Sequence, residues 1–245
     1  MRWSRAPIWT GCWPWPRVPR RCRLHRCPAR HLLRFPAALL WPGTRPSAFI
    51  TTIRWSCSAA WGLSCAFSAP LRDTALPDGC GGLYLGGGYP ELHTQALAEN
   101  HAMRQAVQAN VRAGLPTLAE CGGFLYLQQT LNDPEGRAWP MAGVLAGRGF
   151  GTGKLGRFGY VTLTANRPTL LLRPGEALPA HEFHYWDCTE NGDALTAKKP
   201  VGRRSWPCVV ADGNLFAGFP HLYLPARPKC ALRFCQAAAR WRRGR

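Results

Sequence analysis

The pattern of apolar and polar positions changes near residue 66. Residues 1–65 show neither a 3.6-residue nor a 2-residue hydrophobic period, and proline recurs in runs such as Trp13-Pro14-Trp15-Pro16. Such runs continue neither a helix nor a central strand. We therefore predict an unstructured segment over residues 1–65, a folded domain over residues 66–238 and a basic tail over residues 239–245.

Within the folded part, short apolar runs alternate with glycine turns and helical segments. Residues 83–85 predict a strand, and residues 92–112 predict a helix whose apolar positions recur four apart at Met103, Val107 and Val111. Residues 115–119 predict a second strand, followed by a second helix from Cys121 to Leu131. Strand, helix, strand and helix at this spacing are typical of a mostly parallel α/β sheet.

The rest of the domain predicts further short strands bounded by Gly, Pro and Asn. These strands are placed at residues 144–145, 160–163, 182–186, 207–210 and 215–219. A last helix is predicted over residues 230–241.

The charge is distributed unevenly along the chain, which carries a formal net charge of +18. Residues 1–72 contain twelve Arg and no acidic residue, whereas the remainder has a net charge of +6. This acid-free composition is typical of GC-rich DNA read in the wrong frame, so we expect a frameshift or truncation upstream of residue 66. A basic nucleic-acid-binding protein remains the alternative that charge alone suggests.

The cysteines and the apolar runs bear on the cellular compartment. The eleven Cys show no Cys-x-x-Cys pair and no regular spacing, which favours a reducing, cytoplasmic location over a secreted disulfide framework. No stretch of eighteen apolar residues exists, so no membrane association is predicted. We also predict no metal site and no nucleic-acid partner.

One cysteine lies where a nucleophile is expected. The sequence Ala119-Glu120-Cys121-Gly122-Gly123 places Cys121 between a buried strand and the start of a helix. Free N–H groups at a helix start favour a thiolate and can hold the oxyanion of a tetrahedral intermediate. Taken alone, the motif fits a buried structural cysteine equally well.

Glycines and histidines elsewhere favour the nucleophile. Gly86-Gly87-Gly88 follows the first strand at the same sheet edge, where Gly87, Gly88 and Gly122 could bring N–H groups to a reacting carbonyl. His221 follows a late strand and is the candidate base. Strand positions three apart point to opposite faces, so His181, Glu182 and His184 are interpreted as a substrate-facing strand edge and not as a metal pair.

These blocks together resemble the C-terminal glutaminase domain of the cobyrinic acid a,c-diamide synthase family. The resemblance starts near residue 67 and ends around His221, and it includes the segments at residues 82–93, 119–123, 156–161 and 181–185. It implies a three-layer, glutamine amidotransferase-like α/β fold. It also implies that Cys121 attacks the carboxamide of glutamine while His221 serves as base and acid.

The resemblance further implies a function for the whole enzyme. Glutamine would supply nitrogen to the a and c carboxylates of a corrin, in an ATP- and Mg²⁺-dependent ligation. Apart from the resemblance, a homodimer is left open as a further assembly. The ATP-using domain is expected to be missing, because no Gly-x-x-x-x-Gly-Lys-Ser/Thr motif occurs and Gly151-Thr152-Gly153-Lys154 is only a fragment of one. No cofactor is therefore expected on this chain.

The sequence differs from the family pattern in two respects. The acid-free segment replaces the N-terminal domain, and His221-Leu222-Tyr223 stands where the family usually shows His-x-His. A glutaminase domain not competent for the full ligation is the favoured interpretation, and a non-functional, poorly folded fragment is its rival.

Overall fold

The computed structural model describes residues 35–40 and 63–244. Most of the segment predicted to be unstructured, residues 1–65, lies outside the described residues. Its described part differs from the prediction, because β1 (Phe35–Leu40) and β2 (Leu63–Ser68) are strands. Residues 35–40 are uncharged and mainly apolar, which suits an inner parallel strand but is too short a run to show a period.

The central layer is a six-stranded sheet that confirms the predicted mostly parallel arrangement. Its order is β13-β14-β4-β3-β1-β2, with β3 at Leu83–Leu85, β4 at Thr117–Glu120, β13 at Val210–Asp212 and β14 at Leu215–Gly218. All neighbours in this sheet pair in parallel except β13 and β14. The carboxyl ends of β3 and β4 therefore meet at one edge of the sheet.

Each face of this sheet has its own apolar core. One core contains Ala119 and Ala217 together with the buried face of the helices that follow β3, and Met103, Val107 and Val111 are buried there as predicted. The other core contains Leu118 and Phe216. Successive strand residues point to opposite faces, so β4 and β14 contribute side chains to both cores. The described residues therefore form the three layers that the sequence predicts.

The single helix predicted over residues 92–112 is in fact a short 3₁₀ turn (Pro90–His93) and two helices, α1 (Thr94–Glu99) and α2 (His101–Arg112). Asn100 separates the two helices. Its side-chain oxygen accepts from the Met103 N–H at 3.2 Å, and its amide donates to the carbonyls of Pro70 and Asp73. An N-cap residue of this kind starts a new helix, which the apolar period alone does not reveal.

A five-stranded antiparallel sheet contributes to the second core. Its order is β12-β11-β8-β9-β15, with β8 at Arg157–Ala165, β9 at Ala177–His184, β11 at Leu195–Lys198, β12 at Ser205–Cys208 and β15 at His221–Leu222. The C-terminal helix α4 (Pro228–Arg243) packs on the same core through Cys230, Phe234 and Ala237. Pairing of β15 with β9 carries His221 to the edge of the central sheet.

The helix after Cys121 is shorter than predicted. It is α3 (Gly122–Tyr126), and the chain then enters a small four-stranded sheet of β5 (Thr130–Asn132), β6 (Ala138–Pro140), β7 (Arg148–Gly151) and β10 (Trp186–Cys188). The strand predicted at residues 144–145 is wrong, since these residues form a bend. Among the described residues, no helix has the length and apolar character needed to cross a bilayer.

Candidate active site

Cys121 occupies a sharp turn between β4 and α3. Its backbone has φ 49° and ψ −109°, and Val209 is the other non-glycine residue of the described chain with positive φ. The Cys121 N–H donates to the Gly218 carbonyl at 2.9 Å, which holds this conformation against the neighbouring strand β14. A side chain held in this unfavourable backbone region at a strand-to-helix turn is typical of a catalytic nucleophile.

The glycines around Cys121 permit an unusually close backbone approach. A Cβ on Gly122 would lie 2.5 Å from the Gly88 carbonyl oxygen, and one on Gly123 would lie 2.4 Å from that of Leu85. The Gly123 N–H donates to Gly86 at 2.9 Å. The predicted oxyanion residues Gly88 and Gly122 are thus in backbone contact, beside the first N–H groups of α3, which have no partner within that helix.

His221 reaches Cys121 from a distant part of the chain, as the sequence predicts. The imidazole interacts electrostatically with the Cys121 side chain, and its Nδ1 lies 3.6 Å from Oε2 of Glu120. A Cβ on Gly87 would lie 2.4 Å from Cε1 of the ring. The absence of a side chain at Gly87 therefore provides the space that the imidazole occupies.

The surroundings of His221 favour its protonated form. Burial lowers the pKa of the imidazole, but hydrogen bonds to Cys121 and Glu120 and the negative charge of both groups outweigh that effect and raise the pKa to about 10. At neutral pH the ring consequently carries a proton that it can give to a leaving group. His181, its cross-strand neighbour, has a lowered pKa because of burial and the charges of His221 and Lys199.

The structure separates His181 from Glu182 and His184. Residues 178, 180, 182 and 184 form the buried face of β9, whereas His181 is half-buried beside His221. Glu182 contacts His184 Nε2 at 3.3 Å and accepts from Trp206 Nε1 at 3.2 Å. His184 also stacks on Phe219 at 4.0 Å. Glu182 and His184 have no recorded contact with Cys121 or His221, so their role in substrate binding stays a prediction.

This packing leads to a prediction about stability. Replacing Glu182 with alanine leaves His184 and Trp206 without their buried acceptor, which we expect to lower the free energy of unfolding by about 3 kcal/mol. Thermal melting followed by circular dichroism measures the loss. The control is Glu190→Ala, at an exposed position, with an expected change below about 0.5 kcal/mol. Unchanged stability combined with a raised KM for glutamine would instead support the substrate-binding role.

The loop at residues 151–154 does not fit a phosphate site. The Thr152 hydroxyl lies 2.6 Å from the Lys154 carbonyl and 2.8 Å from that of Tyr185, so its hydrogen-bonding capacity is used within the protein. The next regular element is the strand β8 and not a helix whose N-terminus could hold phosphate. These residues give no support for nucleotide binding.

Sequence reasoning missed Glu120 as a member of this site. Its carboxylate is buried, lies against His221, and accepts from the Tyr84 hydroxyl at 3.2 Å and the Leu222 N–H at 3.3 Å. The signal that could have revealed it is an ionisable residue at the end of an otherwise uncharged, buried strand. Four exposed aromatic side chains continue from His181, the neighbour of His221, through ring contacts: Phe158, Tyr160, Phe183 and Tyr185.

Comparisons with known proteins identify relatives of this chain. Residues 64–229 match the model of the CobB/CobQ-like glutamine amidotransferase domain. The chain is 40% identical over 176 residues to the cobyrinate a,c-diamide synthase of Salmonella typhimurium, which covers 70% of this chain and 38% of that protein. It is 38% identical to the hydrogenobyrinate a,c-diamide synthase of Thermobifida fusca, over 69% of this chain and 36% of that protein.

A solved structure shows the same fold. PurLQS from Thermotoga maritima superposes with a TM-score of 0.57 and 17% identity, covering 85% of this chain and 99% of that chain. The chain spans less than half of the length of the curated relatives that it matches.

Proposed function

This chain belongs to the family of CobB/CobQ-like glutamine amidotransferase domains, and we propose that its domain over residues 66–238 hydrolyses glutamine and delivers the ammonia to a carboxylate acceptor. The observation that carries the proposal is the contact between Cys121, held at positive φ on a strand-to-helix turn, and His221 from β15. A thiol and an imidazole in contact at a sheet edge are suited to acyl transfer.

The proposed reaction uses groups that this chain supplies. Transfer of the Cys121 proton to His221 gives a thiolate that attacks the carboxamide carbon of glutamine, and backbone N–H groups of Gly88 and Gly122 hold the resulting oxyanion. The His221 imidazolium gives its proton to the amide nitrogen, so that the carbon–nitrogen bond breaks and ammonia leaves. His221 then takes a proton from water as the water attacks the thioester, and glutamate is released with the Cys121 thiolate and the His221 imidazolium restored.

The second part of the proposal concerns the molecule whose carboxylates receive the ammonia. The names of the relatives support the a and c carboxylates of a corrin, with or without cobalt, as the groups amidated. Because the loop at residues 151–154 does not fit a phosphate, we propose that ATP and Mg²⁺ act in a domain outside residues 66–238. The aromatic residues exposed beside the site provide an apolar face on which such a domain could dock.

A pair of assays tests both parts. We expect the purified chain to release ammonia and glutamate from glutamine in equal amounts without ATP, and to form no amide of cobyrinic acid when ATP, Mg²⁺ and glutamine are supplied. Coupled glutamate detection and mass spectrometry of the corrin provide the readouts. Amidation of cobyrinic acid by the purified chain would contradict the proposal that ATP and Mg²⁺ act outside residues 66–238. A folded chain without glutaminase activity would contradict the proposal that this domain hydrolyses glutamine.

Two further measurements separate the rival interpretations. A non-functional fragment would show no cooperative thermal transition by circular dichroism. A nucleic-acid-binding protein would bind DNA with an affinity that falls steeply with salt. We also propose a reducing, cytoplasmic location, which is supported by the irregular spacing of the eleven cysteines and by the free thiols of Cys80, Cys121, Cys188, Cys208, Cys230 and Cys235.

A further inference from the structure

Glu120 is the acidic side chain that the described residues place against the catalytic imidazole. It is 1% exposed, and its Oε2 lies 3.6 Å from Nδ1 of His221. This separation is longer than a hydrogen bond, but catalytic contacts often tighten only when substrate is bound. Tyr84 and the Leu222 N–H also donate to the carboxylate, so its orientation is fixed from β3 and from β15.

The backbone explains how two consecutive residues can serve one imidazole. In a regular strand, Glu120 and residue 121 would point to opposite faces of the sheet. The positive φ of Cys121 breaks this alternation, and both side chains consequently contact the ring of His221. The unfavourable conformation of Cys121 therefore assembles the nucleophile and the carboxylate around the same base.

Glu120 also accepts a hydrogen bond from the backbone N–H of Leu222, the residue after His221. Leu222 follows His221 directly in β15, a strand of only two residues that pairs with β9. A carboxylate that bonds the backbone beside the imidazole and lies against the ring itself limits both the position of the strand end and the rotation of the side chain.

We propose that Glu120 is a positioning residue for glutamine hydrolysis, whose carboxylate holds the Nδ1–H of His221 and leaves Nε2 to exchange a proton with Cys121. The proposal rests on the proposed glutaminase function. Glu120 touches neither the substrate nor the reacting atoms in this scheme; it acts through the tautomer and orientation of the imidazole. A carboxylate behind a functional histidine fixes its tautomer in this way.

The substitution Glu120→Gln tests the proposal, because glutamine keeps the shape and an acceptor for Leu222 but loses the charge. We expect kcat/KM for glutamine to fall about 10- to 100-fold, mainly through kcat. The pH at which the His221 ring loses its proton should move downward, since a negative group that raises its pKa has been removed. The other titratable groups facing the ring, Cys121 and His181, are unchanged in this variant.

Two readouts do not require glutaminase activity. The rate of Cys121 alkylation by iodoacetamide across pH, and the ¹⁵N chemical shifts of His221, report the thiol and the imidazole in the full chain directly. In the unsubstituted protein we expect neutral His221 to be the Nδ1–H tautomer. A matched control is Glu176→Gln, which removes the carboxylate paired with Arg233 away from this site and should leave both readouts unchanged.

The outcomes distinguish this proposal from the proposed function. An Nε2–H tautomer of neutral His221 in the unsubstituted chain would overturn it even if Glu120→Gln fails to fold. A folded Glu120→Gln protein with unaltered kcat/KM, alkylation profile and His221 titration would overturn it as well. If the unsubstituted chain does not hydrolyse glutamine, the proposed function fails, while the tautomer and the alkylation profile still test the role of Glu120.

Discussion

Replacing Cys121 with alanine is expected to abolish glutamine hydrolysis, with kcat reduced by at least about 10⁴-fold. The reaction proposed above passes through a thioester on this sulfur, which interacts with His221. The substitution leaves the backbone contact from Cys121 N–H to Gly218 available, so the fold should persist. A coupled glutamate assay measures the loss, with circular dichroism to establish folding.

Chemical labelling provides the second measurement for Cys121. A glutamine-analogue electrophile should modify Cys121 and spare Cys188 and Cys208, since burial raises the pKa of each of these thiols to about 12. Peptide mapping by mass spectrometry identifies the modified residue. The control Cys230→Ala, in helix α4, should retain both labelling and activity. Residual turnover by Cys121→Ala, or labelling at another cysteine in preference to Cys121, would exclude this nucleophile.

Much of the fold could be predicted because local patterns specify it. The buried face of α2 follows from residues four apart, and the parallel sheet follows from alternating strands and helices. The break at Asn100 could not be predicted from periodicity, because it depends on acceptors that Pro70 and Asp73 bring from elsewhere in the chain. The strand over residues 35–40 was also missed, since its pairing with β2 and β3 is non-local.

The approach of Cys121 and His221 could be predicted, because it follows from where these residues lie relative to the strands. Cys121 lies at a strand-to-helix turn and His221 at a strand end, and such positions meet at one sheet edge. The environment of Glu182 and His184 was not predictable, because the choice of which face of β9 is buried depends on Trp206 and Phe219. Glu120 was missed because the alternation of a regular strand directs its side chain away from that of Cys121. The positive φ of Cys121 breaks the alternation and brings both side chains to His221.

The structure gives Gly87 a steric role that the sequence did not reveal. The sequence assigns it an oxyanion role through its N–H, whereas the structure shows that a Cβ at this position would lie 2.4 Å from Cε1 of His221. Ordinary carbon–carbon contacts are about 3.5–4.0 Å, so the substitution Gly87→Ala requires the ring to move by roughly 1 Å. A displacement of that size is expected to reduce kcat about 100-fold.

The alanine variant separates the two roles of Gly87 because it retains the N–H. Gly87 does not have positive φ, so alanine avoids the strain of the left-handed backbone region, and the nearest contacts of an added Cβ are all with His221. We therefore expect the kcat for glutamine and the rate of Cys121 alkylation to fall together, while the melting temperature changes little. Gly244→Ala, where an added Cβ has only ordinary contacts, should leave both rates unchanged. Full activity in Gly87→Ala would show that the imidazole does not need its observed position, and the proposed pairing of His221 with Cys121 would then be wrong.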